Sequence, residues 1–136
     1  MEVSLVTLPE VRDHRGSLSF AEVQTHIPFS VHRIFWLYDV EQSAMRGGHA
    51  HKALFQMLIM MQGSCIVDVE DGVAPKSIVL DRPNLALLVP PLHWLELRQF
   101  TSSSVCVVFG SDRYDESDYI RDRGAFIDAV RAARRP

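Results

Sequence analysis

Little in this chain could crosslink it, anchor it or draw it to a polyanion. It has only two cysteines, Cys65 and Cys106, with no CxxC spacing. Its N-terminus lacks a signal-like apolar stretch, so the expected state is two buried thiols in a cytoplasmic protein rather than a disulfide framework. No long hydrophobic run is present: the longest, Met57 to Met61, is far too short to span a bilayer, which argues against a membrane protein. An excess of positive charge is also missing. The formal net charge is -3, which argues against nucleic-acid binding and leaves any bound anion to be met by local arginines. There is no internal repeat, low-complexity segment or linker, so residues 1–136 are expected to form one domain.

What is present is enough apolar material for a core. Hydrophobic residues make up 47% of the 136 positions and aromatics 9%, which excludes disorder. The apolar residues fall in short alternating runs broken by turn residues. Glu2 to Leu8, Ser17 to Val23, Val31 to Tyr38, two runs within Leu54 to Glu70, then Ile78 to Leu80, Leu85 to Val89, Trp94 to Leu97 and Val105 to Phe109 read as strands. Turns are expected at Asp13 to Gly16, at Gln62-Gly63 and at Asp71-Gly72. About nine short strands without intervening helices predict an antiparallel sandwich or barrel. The acidic cluster Asp115 to Asp118 reads as a helix N-terminus. Beyond Gly124, Phe126, Ile127, Val130 and Ala133 recur at helical spacing, predicting a short amphipathic helix with a basic last turn.

The chemistry centres on Arg46-Gly47-Gly48-His49-Ala50-His51-Lys52. In a strand, residues two apart share a face, so His49 and His51 project together. Such a pair can ligate metal, transfer protons or form a passive polar patch. Gly48, His49, His51, Gln56 and Gly63 resemble the first motif of the cupin superfamily, but Gln56 stands where metal-binding cupins carry glutamate. Only His93 is available near the second motif. Two imidazoles and a neutral amide are a poor ligand set for a divalent ion. Proton transfer is the better use of the pair, and no metal or other cofactor is expected.

Four segments sharpen the resemblance: Asp13-x-Arg15-Gly16-Ser17-Leu18, Ile27-Pro28-Phe29-Ser30, Arg46-Gly47-x-His49-Ala50-His51-Lys52 and Tyr114-Asp115-Glu116-x-Asp118-Tyr119-Ile120-Arg121. Together, from about Val11 to Phe126, they resemble the nucleotide-sugar 3,4-ketoisomerases of the cupin superfamily. The resemblance implies a small homodimeric jelly roll that moves the carbonyl of a dTDP-4-keto-6-deoxyhexose from C4 to C3 without a metal, in deoxy-aminosugar biosynthesis. Within that reading, one histidine works at carbon and the other relays between oxygens, with His51 the first choice for carbon. Arg15, Arg46 and Arg33 are the candidates for the diphosphate, since a guanidinium matches phosphate oxygens.

The resembling enzymes commonly carry a tyrosine early in the third strand. This chain has Phe35-Trp36 there, so Tyr38 is the candidate replacement. Leu95 is a second departure, where some relatives have a polar side chain. A metal-dependent cupin enzyme and a non-catalytic sugar-nucleotide-binding module are the competing readings.

Overall fold

A computed structural model describes residues 1–135. The strands are β1 (Ser4–Thr7), β2 (Glu10–Asp13), β3 (Gly16–Ser19), β4 (Arg33–Tyr38), β5 (Arg46–His51), β6 (Gln56–Gln62), β7 (Cys65–Glu70), β8 (Pro75–Leu80), β9 (Leu85–Val89), β10 (Trp94–Arg98), β11 (Val105–Gly110) and β12 (Tyr119–Ile120), followed by helix α1 (Arg123–Ala133). Two five-stranded sheets form, in the orders β1, β9, β6, β11, β4 and β12, β5, β10, β7, β8. All pairing between these strands is antiparallel, and an isolated parallel bridge joins Val23 to Ile27. The expected all-β jelly-roll sandwich with a short C-terminal α-helix is therefore the observed architecture.

Alternation along each strand builds the layers. Leu58 and Met60 of β6, Val67 of β7, Leu87 of β9, Leu97 of β10 and Val108 of β11 meet between the sheets, with both cysteines among them. Burying each such side chain contributes roughly 1.5–3 kcal/mol, so this core holds the sheets together. The turn at Gln62-Gly63 falls where expected: Gly63 has φ +76, and a Cβ there would lie 2.6 Å from the hydroxyls of Thr101 and Ser104. A second cluster, including Met57, Ile59, Ala86 and Leu88, covers the opposite face of the first sheet under Leu8, Ile27 and Phe29.

The terminal helix starts later than its acidic signal suggests. Asp115 caps only a single 3-10 turn, Glu116–Asp118, after which the chain enters β12. The α1 N-cap is Asp122, whose carboxylate accepts from Ala125 N–H at 2.8 Å. Phe126 and Val130 then pack on Ala50, Trp94 and Ile120, so the helix covers the outer side of the second sheet. Hairpin β2–β3 pairs with no other strand among the described residues. Its apolar Val11 and Leu18 are 58% and 59% exposed.

Candidate active site

The space between the sheets is apolar except at one end. There, Arg33, Gly110, Gln56 and Val89 form one cross-strand row of the first sheet. Facing them from the second sheet are His49 and His51 of β5 and Tyr119 of β12. A cavity of about 430 Å³ opens at this end, lined by residues including Phe35, Arg46, His49, Gln56, Leu95, Tyr119 and Arg121. Its volume lies within the range of small-molecule sites.

A bulge aims the polar groups. β10 pairs Leu95 with His49, Glu96 with Gly47 and Leu97 with Arg46, so Gly48 is the extra residue. Gly47 and Gly48 have φ of +86 and +82, a conformation glycine adopts at least cost. Regular alternation would turn Arg46 away from His49. With Gly48 skipped, Arg46 sits opposite inward Leu97 and His49 opposite inward Leu95, so both reach the cavity.

The two imidazoles lie with ring centroids 5.1 Å apart, and Tyr119 packs on both, at 5.0 Å from His49 and 4.4 Å from His51. His51 is held from behind: its Nδ1 is 2.9 Å from Oδ2 of Asp118, while Oδ1 of Asp118 accepts from Ala53 N–H at 2.7 Å. The ionised carboxylate can only accept, so Nδ1 carries the proton and Nε2 is left as the lone-pair nitrogen. His51 Nε2 and His49 Nδ1 are both buried with no partner among the described residues. Burial, then the neighbouring His51 and Arg121, push His49 down to about 4. Burial also lowers His51, against the opposing pull of Asp118. Both rings are thus neutral near pH 7, the state in which an imidazole accepts a proton.

Of the two histidines, His49 is the one that lines the cavity. His51 is only 4% exposed and stands behind it. Arg33 points inward beside this cluster. Its Nη2 donates to the Tyr119 hydroxyl at 3.4 Å, and its guanidinium lies over the rings of Phe35 and Tyr114. Neither Arg33 nor Arg46 has a carboxylate partner among the described residues. Arg121 is paired with Glu116 and stacks 4.4 Å over Tyr119.

Two expected contacts are not found in this cavity. Tyr38 lies on the outward face of β4 with Ile34 and Trp36 and is 61% exposed. The β4 alternation that brings Arg33, Phe35 and Leu37 inward turns Tyr38 away, so it cannot stand in for a phenol at Phe35. Arg15 lies at the exposed tip of hairpin β2–β3, bound to Asp13, and does not line the cavity of its own chain. His93 is spent elsewhere, its Nδ1 on the Pro91 carbonyl at 2.9 Å. No cluster of three potential metal-binding His, Cys, Asp or Glu side chains occurs among the described residues. Conversely, Tyr119 and Asp118 were not singled out from sequence, although the Tyr114 to Arg121 motif contains both. Both thiols are buried, with burial raising Cys65 to about 11 and Cys106 to about 12.

An apolar jelly roll with one polar mouth, where imidazoles, a phenol and guanidiniums meet at a cavity, has the geometry of a small-molecule site. The chain belongs to the FdtA family, described as WxcM-like, C-terminal, whose model matches residues 1–131. It is 41% identical over 126 residues to the TDP-4-oxo-6-deoxy-alpha-D-glucose-3,4-oxoisomerase of Aneurinibacillus thermoaerophilus, covering 93% of this chain and 91% of that protein. The crystal structure of a 3,4-ketoisomerase from Helicobacter canadensis superposes with a TM-score of 0.93 at 41% identity, covering 96% of this chain and 98% of that one. The 3,4-ketoisomerase QdtA from Thermoanaerobacterium thermosaccharolyticum, a histidine-to-asparagine mutant in complex with TDP-4-keto-6-deoxyglucose, superposes with a TM-score of 0.94. There the identity is 33%, with 98% and 97% of the chains covered.

Proposed function

We propose that this protein is a sugar-nucleotide 3,4-ketoisomerase that converts a TDP-linked 4-keto-6-deoxyhexose to its 3-keto isomer. The observation that carries the reading is a neutral imidazole, His49, facing a cavity of about 430 Å³ in a chain of this family. His49 takes the C3 proton. The C–H electron pair forms a C3–C4 double bond and the C4 carbonyl pair moves onto its oxygen, giving an enediolate. A proton passes from the C3 oxygen to the C4 oxygen, and His49 returns its proton to C4 as the C3 carbonyl forms. His51, its tautomer held by Asp118, and the Tyr119 phenol serve the oxygen-to-oxygen relay. Arg46 and Arg33, cations without carboxylate partners, hold the diphosphate.

The active unit in this reading is a homodimer. Ile34, Trp36 and Tyr38 are 52%, 57% and 61% exposed on one face of β4, and Met61 of β6 adds to the exposed apolar residues. An isolated two-stranded hairpin is marginal by itself, so β2–β3 gains its cover from the second copy, and Arg15 reaches nucleotide bound there. Tyr38 belongs to this contact rather than to the substrate site. Among the described residues no helix is long and apolar enough to cross a membrane.

The test is proton NMR of the protein with TDP-4-keto-6-deoxyglucose in D2O, with and without a chelator. A 3-keto product carrying ring deuterium in both samples is expected. Bound but unchanged substrate would instead support a binding module, and turnover lost only with chelator would support a metal enzyme.

A further inference from the structure

The cavity contains a neutral polar group to which the steps above assign no work. Gln56 opens β6, is only 5% exposed, and lines the cavity. The local hydrogen bonds are spent elsewhere: Arg33 on Tyr119, His51 and Ala53 on Asp118, and Phe55 N–H on Ser111 Oγ. No side chain or backbone group among the described residues bonds the Gln56 amide. The amide is not sealed in the core: neither of its atoms is among the fully buried polar atoms without a partner, so it opens to the cavity, where a ligand can complete its hydrogen bonds.

Its surroundings define what completes it. Gln56 is paired across the sheet with Gly110, which is paired in turn with Arg33. Gly110 puts no side chain of its own between Gln56 and Arg33, although Leu54 Cδ1 lies 3.5 Å from where a Cβ would stand, and the amide lines the cavity. The row stands across the mouth from the histidines, while the floor below is apolar, with Leu58, Leu97 and Val108. A ligand that reaches His49 therefore meets one polar group on the facing sheet that is neutral and both donates and accepts.

We propose that Gln56 binds the two oxygens of the hydroxyketone and stabilises the enediolate between them. This deepens the ketoisomerase reading and rests on it. A carboxamide suits an isomerase because substrate and product exchange roles at the same two atoms: the C4 oxygen is an acceptor before the reaction and a donor after it. The amide NH2 donates to whichever oxygen is the carbonyl, its oxygen accepts from the hydroxyl, and both hydrogens of the NH2 can serve the anion formed in between. Gln56 transfers no proton, and proton abstraction and return remain with the histidines. A carboxylate at this position would repel the enediolate, so glutamine is favoured here for its lack of charge.

The experiment compares wild type with Gln56→Met and Gln56→Glu, all with chelator present, measuring TDP affinity, thermal stability, kcat and KM for TDP-4-keto-6-deoxyglucose. Methionine keeps length and apolar packing, so that variant folds and binds TDP as wild type does. Its kcat is expected to fall about 10²-fold, the scale of losing one oxyanion donor. Gln56→Glu, nearly isosteric but anionic, is expected to turn over more slowly still. A purely structural glutamine predicts the opposite order, with glutamate closer to wild type than methionine. The proposal is overturned if Gln56→Met turns over within twofold of wild type, or if Gln56→Glu is the faster variant. Either result leaves the ketoisomerase reading standing, whereas a wild-type protein that binds the substrate without turning it over overturns both.

Discussion

Replacing Asp118 by asparagine removes one acceptor from a side chain that uses two. Oδ2 lies 2.9 Å from His51 Nδ1 and Oδ1 2.7 Å from Ala53 N. The side chains of His51 and Asp118 are 5% and 16% exposed, so water offers little replacement. An asparagine oxygen can serve Ala53 or His51 but not both, and its NH2 then faces whichever donor is left. Losing a buried hydrogen bond to a charged group costs about 1.5–3 kcal/mol. For a chain of this length that lowers Tm by roughly 5–12 °C, measured by calorimetry or circular dichroism. If the oxygen stays with Ala53, the NH2 forces His51 Nδ1 to accept, and the ring proton moves to Nε2.

That exchange reverses what His51 offers the oxygen relay, and kcat is expected to fall about 10²-fold or more, within the range of acid–base effects. TDP affinity should change little. The pH dependence has a definite sign. His51 is lowered by burial and partly restored by Asp118, so the variant's ring sits lower still. Below pH 6.5 the unfolded chain binds protons that the fold refuses, and the stability gap between wild type and variant widens as pH falls. An Asp118→Asn protein with wild-type Tm and wild-type kcat would refute the reasoning.

Other outcomes follow from the same geometry. His49→Asn should lower kcat by about 10²–10⁴ while TDP binding persists, because the cavity-facing base is lost but the guanidiniums remain; single-turnover kinetics and calorimetric titration check this. Since His49 is pushed down to about 4, kcat/KM should stay level from neutrality through pH 6 and fall only as pH approaches that value. An acid limb centred at 6.5 would count against His49 as the base. Gly47→Ala places a Cβ 2.6 Å from the Leu95 carbonyl at φ +86. It should cost about 2–3 kcal/mol by denaturant unfolding and weaken TDP binding through the displaced Arg46. Trp36→Asp, an acid within the exposed apolar face of β4, should yield monomer by light scattering, and an unchanged dimer would place the interface elsewhere.

The alternating runs and the turn glycines made the sandwich legible from sequence, because a two-residue period and a positive-φ turn are local properties of the chain. The HxH spacing made the shared face of His49 and His51 legible for the same reason. Asp115 to Asp118 misled because a capping side chain marks the start of a turn without saying how far the helix continues. Here the chain leaves after one 3-10 turn to pair Tyr119 with His51 and Ile120 with Ala50. Tyr38 could not be placed beforehand, since β4 carries apolar and polar residues on both faces and only the packing of Phe35 and Leu37 selects the inner one.

Sequence alone thus determined the fold class, the imidazole pair and the family resemblance, all of which rest on residues close together along the chain. Tertiary structure decided which histidine meets the cavity and what holds the other. Asp118 is 67 residues from His51 and reaches it only through the β5–β12 pairing. It also decided that Arg46 shares a face with His49, because skipping Gly48 shifts the alternation by one. These outcomes depend on strand register, which is set by the packing of the whole barrel, and no local pattern of residues encodes that.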